Sequence, residues 1–312
     1  MKNFINEDKI FDILEETQRP SRQRVETIIN KSLALKGLNP EEVAVLLNCD
    51  EKVVLNKIFK TAKQIKETIY GNRLVLFAPL YLSNRCVNNC LYCGFRKEHL
   101  NTETRCLNTN EIREETRALI SQGHKRLLIV SAEDPAVDID YVGEAIKTVY
   151  DTKEGNGSIR RVNINVAPMG VKDFKKLKQT GIGTYQLFQE TYHRNTYSQL
   201  HTSGPKSDYL KRLYACDIAQ SAGIDDVGIG ALFGLYDYKF EVLSLLFHTM
   251  HLEEVFGVGP HTISVPRLEQ AQGSNIASAP PYPVSDADLK KIIAVLRLAV
   301  PYTGIILSTR EN

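Results

Sequence analysis

What the chain lacks narrows it first. No apolar stretch in its 312 residues is long enough to span a bilayer, and the polar opening Met1-Lys2-Asn3 is no secretory leader, so no membrane role is expected. Charge of one sign is lacking too. The 39 Lys and Arg residues nearly balance 37 Asp and Glu, leaving a net +2 with lysines dispersed among acids, and nothing predicts a nucleic-acid partner. Cysteine is scarce: there are six, three of them crowded between Cys86 and Cys93, while Cys49, Cys106 and Cys216 read as ordinary thiols. That usage excludes a disulfide framework and predicts a reducing, cytoplasmic setting.

What is present is the composition of an enzyme, 43% hydrophobic and 24% charged, with chain enough for one α/β barrel. The run Asn84-Arg85-Cys86-Val87-Asn88-Asn89-Cys90-Leu91-Tyr92-Cys93-Gly94-Phe95 sets its cysteines three residues and then two apart. A cubane 4Fe-4S cluster has four irons, and a site built only for electron transfer supplies four cysteines. Three on one tight loop reserve an iron for an exchangeable ligand. Structural zinc, with His99 as fourth ligand, is the competing account, but the spacing is unusual for zinc and no second cysteine pair follows.

From Ser21 to about Tyr70 the pattern is helical. Asn39-Pro40-Glu41-Glu42 reads as cap, first-turn proline and acidic first turn of a helix running towards Leu47, and Asp50 as the cap of the next. In that second helix Val53, Val54, Ile58, Ala62, Ile65 and Ile69 recur near helical spacing, with Lys57, Lys60, Lys63 and Lys66 as a solvated face. The apolar run Leu74 to Leu82 reads as a buried strand feeding the cysteine loop.

Beyond Arg73 short apolar strands alternate with amphipathic helices. The strands are expected at Leu80 to Ser83, Arg126 to Ala132, Arg161 to Val166, Thr184 to Gln189, Asp226 to Leu232, Thr262 to Pro266 and Gly304 to Ser308. Helices are expected over Thr109 to Gln122, Tyr141 to Thr152, Val171 to Gln179 and Asp208 to Ser221. Repeated β-α units predict an α/β fold, a TIM-type barrel with its chemistry at the carboxyl ends of the strands, where the cysteine loop falls. The division expected is a helical extension over 1–70 and the barrel over 71–312. Seven strands fall one short of a closed barrel, so either the barrel is open or the chain is a piece of a longer protein, and the unpaired edge favours the second.

The cysteine run, with Tyr92-Cys93-Gly94, closely resembles the radical S-adenosylmethionine (radical SAM) enzymes. Glu190-Thr191-Tyr192-His193-Arg194, Gly228 to Leu235, Gly259 to Arg267 and Ser308-Thr309-Arg310-Glu311 narrow the likeness to the tyrosine lyases of that superfamily. Gly155 to Asn163 and the N-terminal helices most resemble the HydG family, which matures the active-site cluster of iron-only hydrogenases; the thiamine-pathway tyrosine lyase is the close relative.

The resemblance implies a 4Fe-4S cluster and S-adenosylmethionine as cofactors and L-tyrosine as substrate, cleaved to p-cresol and dehydroglycine. It implies a reducing partner such as ferredoxin or flavodoxin, and hydrogenase maturation proteins. Cys86, Cys90 and Cys93 match the cluster ligands, and Tyr92 a residue beside the adenine. Glu190 and Arg212 match residues that hold S-adenosylmethionine; a barrel-mouth ion pair and a surface helix arginine are what they would otherwise be. Gly228, Gly230 and Gly234 would let backbone approach the adenosine, unless they mark only close packing. Arg310, at the mouth end of the seventh strand, is the candidate to bind the tyrosine carboxylate, with a terminal salt bridge as the alternative. Two departures stand out. The second strand ends Val130-Ser131-Ala132-Glu133 where the superfamily usually has two glycines, leaving Ser131 and the turn backbone to meet the methionyl amine. The C-terminal cysteines that bind a second cluster in HydG are absent. His261, at the barrel floor, matches a ligand of that cluster's extra iron, a lone core histidine being the alternative. The segment Gln270 to Ser285 reads as a lid or a disordered loop.

Overall fold

A computed structural model describes residues 1–99 and 103–308. Four helices come first, α1 (Glu7–Glu16), α2 (Arg22–Ser32), α3 (Pro40–Leu47) and α4 (Lys52–Tyr70). α3 starts as its sequence predicts: Asn39 Oδ1 accepts from the Glu42 N–H at 2.9 Å while the Glu42 carboxylate accepts from the Asn39 N–H at 3.0 Å. Asp50 does not cap α4. Glu51 takes that position without a side-chain bond, and Asp50 instead accepts from Lys291 Nζ at 3.0 Å. Val54, Ile58, Ala62 and Ile65 of α4 are buried as expected, whereas Val53 is exposed. α1, whose Ile10 and Ile13 are buried, has no counterpart in the expected helices.

The rest alternates strand and helix. It runs β1 (Ala78–Ser83), α5 (Thr109–Ser121), β2 (Arg126–Ser131), α6 (Ile139–Asp151), β3 (Lys153–Glu154), β4 (Gly157–Ser158), β5 (Arg161–Asn165), α7 (Val171–Gln179), β6 (Thr184–Gln186), α8 (Arg194–Leu200), α9 (Tyr209–Leu213) and α10 (Ala215–Ser221). Then come β7 (Asp226–Gly230), α11 (Tyr238–Phe256), β8 (Thr262–Ser264), α12 (Asn275–Ser278), α13 (Asp286–Ala299) and β9 (Gly304–Ile306). Seven strands pair in parallel in the order β1-β2-β5-β6-β7-β8-β9, a half-barrel whose outermost strands among the described residues are β1 and β9. All seven expected strands are there, most ending a few residues earlier. β3 and β4 form a separate antiparallel hairpin.

Register explains which residues reach the site. Leu80, Ile129, Ile164 and Tyr185 lie side by side across β1, β2, β5 and β6, and all are buried beneath the helices. Each such side chain contributes roughly 1.5–3 kcal/mol by leaving water. One residue on, Tyr81, Val130 and Asn165 form the next row and face the concave side. Two expectations fail locally. Leu74, Val75 and Leu76 are 80%, 59% and 67% exposed, because β2 offers pairing partners only from Leu127, opposite Ala78. Asp208 to Ser221 is not one helix: it turns at Tyr214, whose hydroxyl donates to the Lys2 carbonyl at 2.7 Å. Among the described residues no helix is long and apolar enough to cross a membrane.

Candidate functional site

The cysteine loop leaves the carboxyl end of β1 and is clamped to the segment after α8. Leu91 N donates to Leu200 O at 2.9 Å, Asn89 N to Ser203 O at 3.1 Å, and Thr202 Oγ1 to Asn89 O at 3.0 Å. Gly204, at φ +91°, closes the clamp; a Cβ there would lie 2.5 Å from Asn88 Oδ1. Within the loop, backbone N–H groups point at sulfur: Asn88 N lies 3.5 Å from Cys86 Sγ and Phe95 N 3.4 Å from Cys93 Sγ.

Burial pushes the Cys90 thiol up to about 11, with Lys206 pulling the other way, and raises the Cys93 thiol as well. A thiolate at Cys90 therefore needs a positive centre to stabilise it. Three thiols on one loop, two of them with N–H donors directed at sulfur, fit an iron-sulfur cluster, where such bonds tune the centre. Among the described residues no group of three or more His, Cys, Asp or Glu side chains is arranged to hold a single metal ion. His99, the zinc candidate, sets Nδ1 2.8 Å from the Gly94 carbonyl.

Glu190 lies just past β6 with φ +71°, a left-handed conformation that is uncommon and strained outside glycine. Its neighbours hold it there. Leu232 N donates to the Glu190 carbonyl at 2.7 Å, and the next two residues are fixed by Glu241, whose buried carboxylate accepts from Thr191 Oγ1 at 2.5 Å and from Tyr192 N at 3.0 Å. Tyr209 Oη donates to the Tyr192 carbonyl at 2.8 Å. So positioned, Glu190 Oε1 accepts from Lys206 Nζ at 2.6 Å and Arg212 Nη2 at 3.2 Å. Burial alone would raise this carboxyl, but Lys206 and Arg212 outweigh it and hold it below its usual range. Arg212 is no surface arginine: it is 8% exposed and donates from Nε to the Phe188 carbonyl at 2.6 Å.

The other expected residues divide. Tyr92 is buried against His201, donating its hydroxyl to Nε2 at 2.9 Å, while His201 Nδ1 donates to the Tyr197 carbonyl at 2.8 Å. Burial lowers His201 to about 3, so it stays neutral. Ser131 Oγ donates to the Ala132 carbonyl at 2.9 Å, at the mouth end of β2. At Gly228 a Cβ would meet Thr262 Oγ1 at 2.6 Å and Gln186 Cγ at 2.9 Å, and at Gly230 the Phe188 ring at 2.7 Å, so close packing between strands demands both. His261 sits at the opposite end of the sheet, 52% exposed, its Nδ1 3.6 Å from Asp226 Oδ1. Arg310 lies outside the described residues. Gln270 to Ser285 is no free loop: Ser274 Oγ donates to the Leu91 carbonyl at 2.7 Å, and Leu268 and Ile276 pack with Cys90, Tyr92, Leu200 and Leu235 against the cysteine loop.

Several residues of this site escaped the sequence reading. Lys206, His201 and Glu241 reach it from distant positions; Glu133, already quoted in the turn after β2, joins through Asn88, whose Nδ2 donates to Glu133 Oε2 at 2.7 Å. The dipeptide Asn88-Asn89 inside the cysteine run was the available signal, two amides with no other purpose in a metal loop.

Comparison with known proteins agrees with this geometry. The pattern of the Radical SAM superfamily matches residues 80–246, and that of the Biotin and Thiamin Synthesis associated domain matches residues 264–312. The chain therefore belongs to the radical SAM superfamily, whose chemistry uses a 4Fe-4S cluster and S-adenosylmethionine. Within it the chain falls with HydG. It is 55% identical to a crystal structure of HydG, a maturase of the FeFe-hydrogenase, with a TM-score of 0.97 over 100% of this chain and 68% of that one. HydG from Carboxydothermus hydrogenoformans is 43% identical with a TM-score of 0.90, over 98% of this chain and 70% of that one. The 2-iminoacetate synthase of Escherichia coli (strain K12) is 29% identical over 91% of this chain and 73% of its own length.

Proposed function

We propose that this protein is a tyrosine lyase of the HydG kind, cleaving L-tyrosine to p-cresol and dehydroglycine, and in a full-length family member leading to carbon monoxide and cyanide for hydrogenase maturation. The observation that carries the reading is the cysteine loop clamped beside the Glu190, Lys206 and Arg212 cluster, in a chain 55% identical to HydG.

Cys86, Cys90 and Cys93 would hold the cluster, leaving one iron for S-adenosylmethionine. A cluster held there would supply the electron for reductive cleavage of S-adenosylmethionine, the chemistry that the superfamily uses to start radical reactions. The chain's own residues orient and enclose. Glu190, kept ionised by its two cations, would accept from the cofactor, and Arg212 would face the methionyl carboxylate with the donors it does not spend on Phe188 and Glu190. Tyr92 would border the adenine. Ser274 ties its segment to the cysteine loop and shields the site from water. Arg310 is proposed for the tyrosine carboxylate, and His261 for a metal at the barrel floor. A reductant such as ferredoxin or flavodoxin and a cytoplasmic setting complete the proposal.

The test is anaerobic turnover of the reconstituted protein with S-adenosylmethionine, dithionite and tyrosine. p-Cresol and 5'-deoxyadenosine are expected in proportion; 5'-deoxyadenosine without p-cresol would reject tyrosine as substrate. The match to 2-iminoacetate synthase favours a second reading, the thiamine-pathway lyase, which shares these products. Because the second-cluster cysteines are absent from this chain, it is expected to stop at dehydroglycine under either reading, and carbon monoxide trapped by deoxyhaemoglobin would separate the two only in a full-length family member.

A further inference from the structure

Two cations share one carboxylate oxygen at the mouth of the half-barrel, and they are held differently. Arg212 is fixed by its guanidinium, through Phe188 and Glu190. Lys206 is fixed by its backbone. Its N–H donates to Asn88 Oδ1 at 2.8 Å and its carbonyl accepts from Tyr197 Oη at 2.5 Å, in the tight turn Pro205–Ser207 that follows Gly204. That turn is pressed onto the cysteine loop: a Cβ at Gly204 would lie 2.8 Å from the Val87 carbonyl. The lysine backbone and the cysteine loop are therefore one rigid unit.

From that turn the side chain reaches inward. Nζ lies 2.6 Å from Glu190 Oε1 and 5.6 Å from the ring centre of Tyr92, the residue just before Cys93, and only 15% of the side chain is exposed. An ammonium has three donors, and Glu190 engages one. One carboxylate oxygen between two cations leaves a positive charge in excess. An excess charge with so little water is costly unless negative charge lies near it. A cubane core held by three thiolates carries net negative charge, and more when reduced.

We propose that Lys206 is the counter-charge of the cysteine-loop centre, stabilising the reduced state of the cluster from its fixed place beside the loop, with Glu190 as its tether. This rests on the reading of Cys86, Cys90 and Cys93 as cluster ligands. Reduction potential follows net charge around a cluster, so removing the cation makes reduction harder and removing the Glu190 charge makes it easier.

The experiment reconstitutes the whole chain anaerobically, counts iron and acid-labile sulfide, and titrates the cluster with dithionite under electron paramagnetic resonance, without S-adenosylmethionine. Lys206→Met is expected to retain iron and to lower the reduced-to-oxidised ratio at a given potential about tenfold, a shift of about 59 mV to more negative values. Lys206→Arg should titrate with the parent, as should Lys211→Met, which removes an exposed lysine five residues away. Glu190→Gln should shift the potential the opposite way. An unchanged midpoint in Lys206→Met, or shifts of the same sign in Lys206→Met and Glu190→Gln, would overturn the inference. Failure of the parent itself to take up iron and sulfide would instead overturn the cluster reading, and this inference with it.

Discussion

At the carboxyl ends of the strands Lys206 and Glu190 meet at 2.6 Å with 15% and 12% of their side chains exposed; at the amino ends Arg161 and Asp226 also meet at 2.6 Å, with 33% and 32% exposed. The distance is the same and the consequence is not. Water screens the floor pair, which belongs to a class worth about 0–1 kcal/mol. The mouth cluster is desolvated, so each partner depends on the others, and removing one from such a set costs about 3–5 kcal/mol. Among the described residues the floor also lacks the clamped loop and the shielding segment found at the mouth. Burial, more than residue type, thus separates the two ends of one sheet.

The largest effect expected from that contrast is at Cys90, the most deeply buried of the three loop cysteines. Cys90→Ala should abolish iron and sulfide uptake, measured by metal analysis after anaerobic reconstitution. Stoichiometric zinc without sulfide in the parent would sink the cluster reading. Next comes Arg212→Ala, which strips Glu190 of one cation and the Phe188 carbonyl of its donor. Equilibrium dialysis should show S-adenosylmethionine binding weakened about tenfold or more, as expected for a charge-assisted hydrogen bond. Binding equal to the parent would mean that Arg212 serves only the fold.

How much of this could be read from residues alone differs between the two ends. The strands were legible because burial beneath helices leaves runs such as Leu127 to Val130 and Val227 to Ile229. The loop was legible because three cysteines need no partner from elsewhere to declare themselves. Leu74 to Leu76 misled because an apolar run carries no information about whether a neighbouring strand begins beside it. The two-residue strands β3 and β4 are too short for any periodicity. Lys206 and Glu241 were invisible for another reason: each acts on a residue 16 or about 50 positions away, across a turn or a helix that only the fold brings near. Glu190 is marked in the sequence by the family resemblance, with a barrel-mouth ion pair as the other account, but its positive φ and its two cations are properties of the assembled mouth.

Glu241 sharpens the comparison with a smaller effect, since it supports the mouth from beneath. It is fully buried with no cation beside it, and burial raises its carboxyl to about 8, partly offset by the bonds from Thr191 and Tyr192. An acid whose folded value exceeds its unfolded value holds its proton more tightly when folded. Its contribution is complete below the ordinary value of 4.5 and is lost as pH rises through about 8. Glu241→Gln should therefore flatten the fall in stability between those limits, at a cost of about 1–3 kcal/mol for the acceptor it takes from Tyr192 N–H or Thr191 Oγ1. Urea denaturation at several pH values measures it. An unaltered slope would place the titration elsewhere; His248, which burial drives to about 3, acts with the opposite sign, because a histidine held neutral by the fold costs stability as pH falls below its ordinary value of 6.5.

The smallest effect belongs to the floor, where it tests the contrast itself. Arg161→Ala removes a cation that meets Asp226 at 2.6 Å and also reaches Asn163 Oδ1 at 3.3 Å and Thr184 Oγ1 at 3.3 Å. On distances alone it resembles the loss of Arg212. Exposure argues otherwise, because water can replace the guanidinium at Asp226 and the Asn163 side chain keeps its bond from the Thr184 N–H at 3.1 Å. The expected cost is about 1 kcal/mol or less by urea denaturation, with S-adenosylmethionine affinity and 5'-deoxyadenosine formation unchanged. His261→Ala should behave alike in the absence of any floor metal, since His261 meets the sheet through backbone bonds, N–H to Val227 O at 2.8 Å and carbonyl to Gly304 N at 2.9 Å, which alanine retains. If either substitution lowered cofactor affinity as far as Arg212→Ala does, the two ends would be coupled through the strands, and burial would no longer suffice to set them apart.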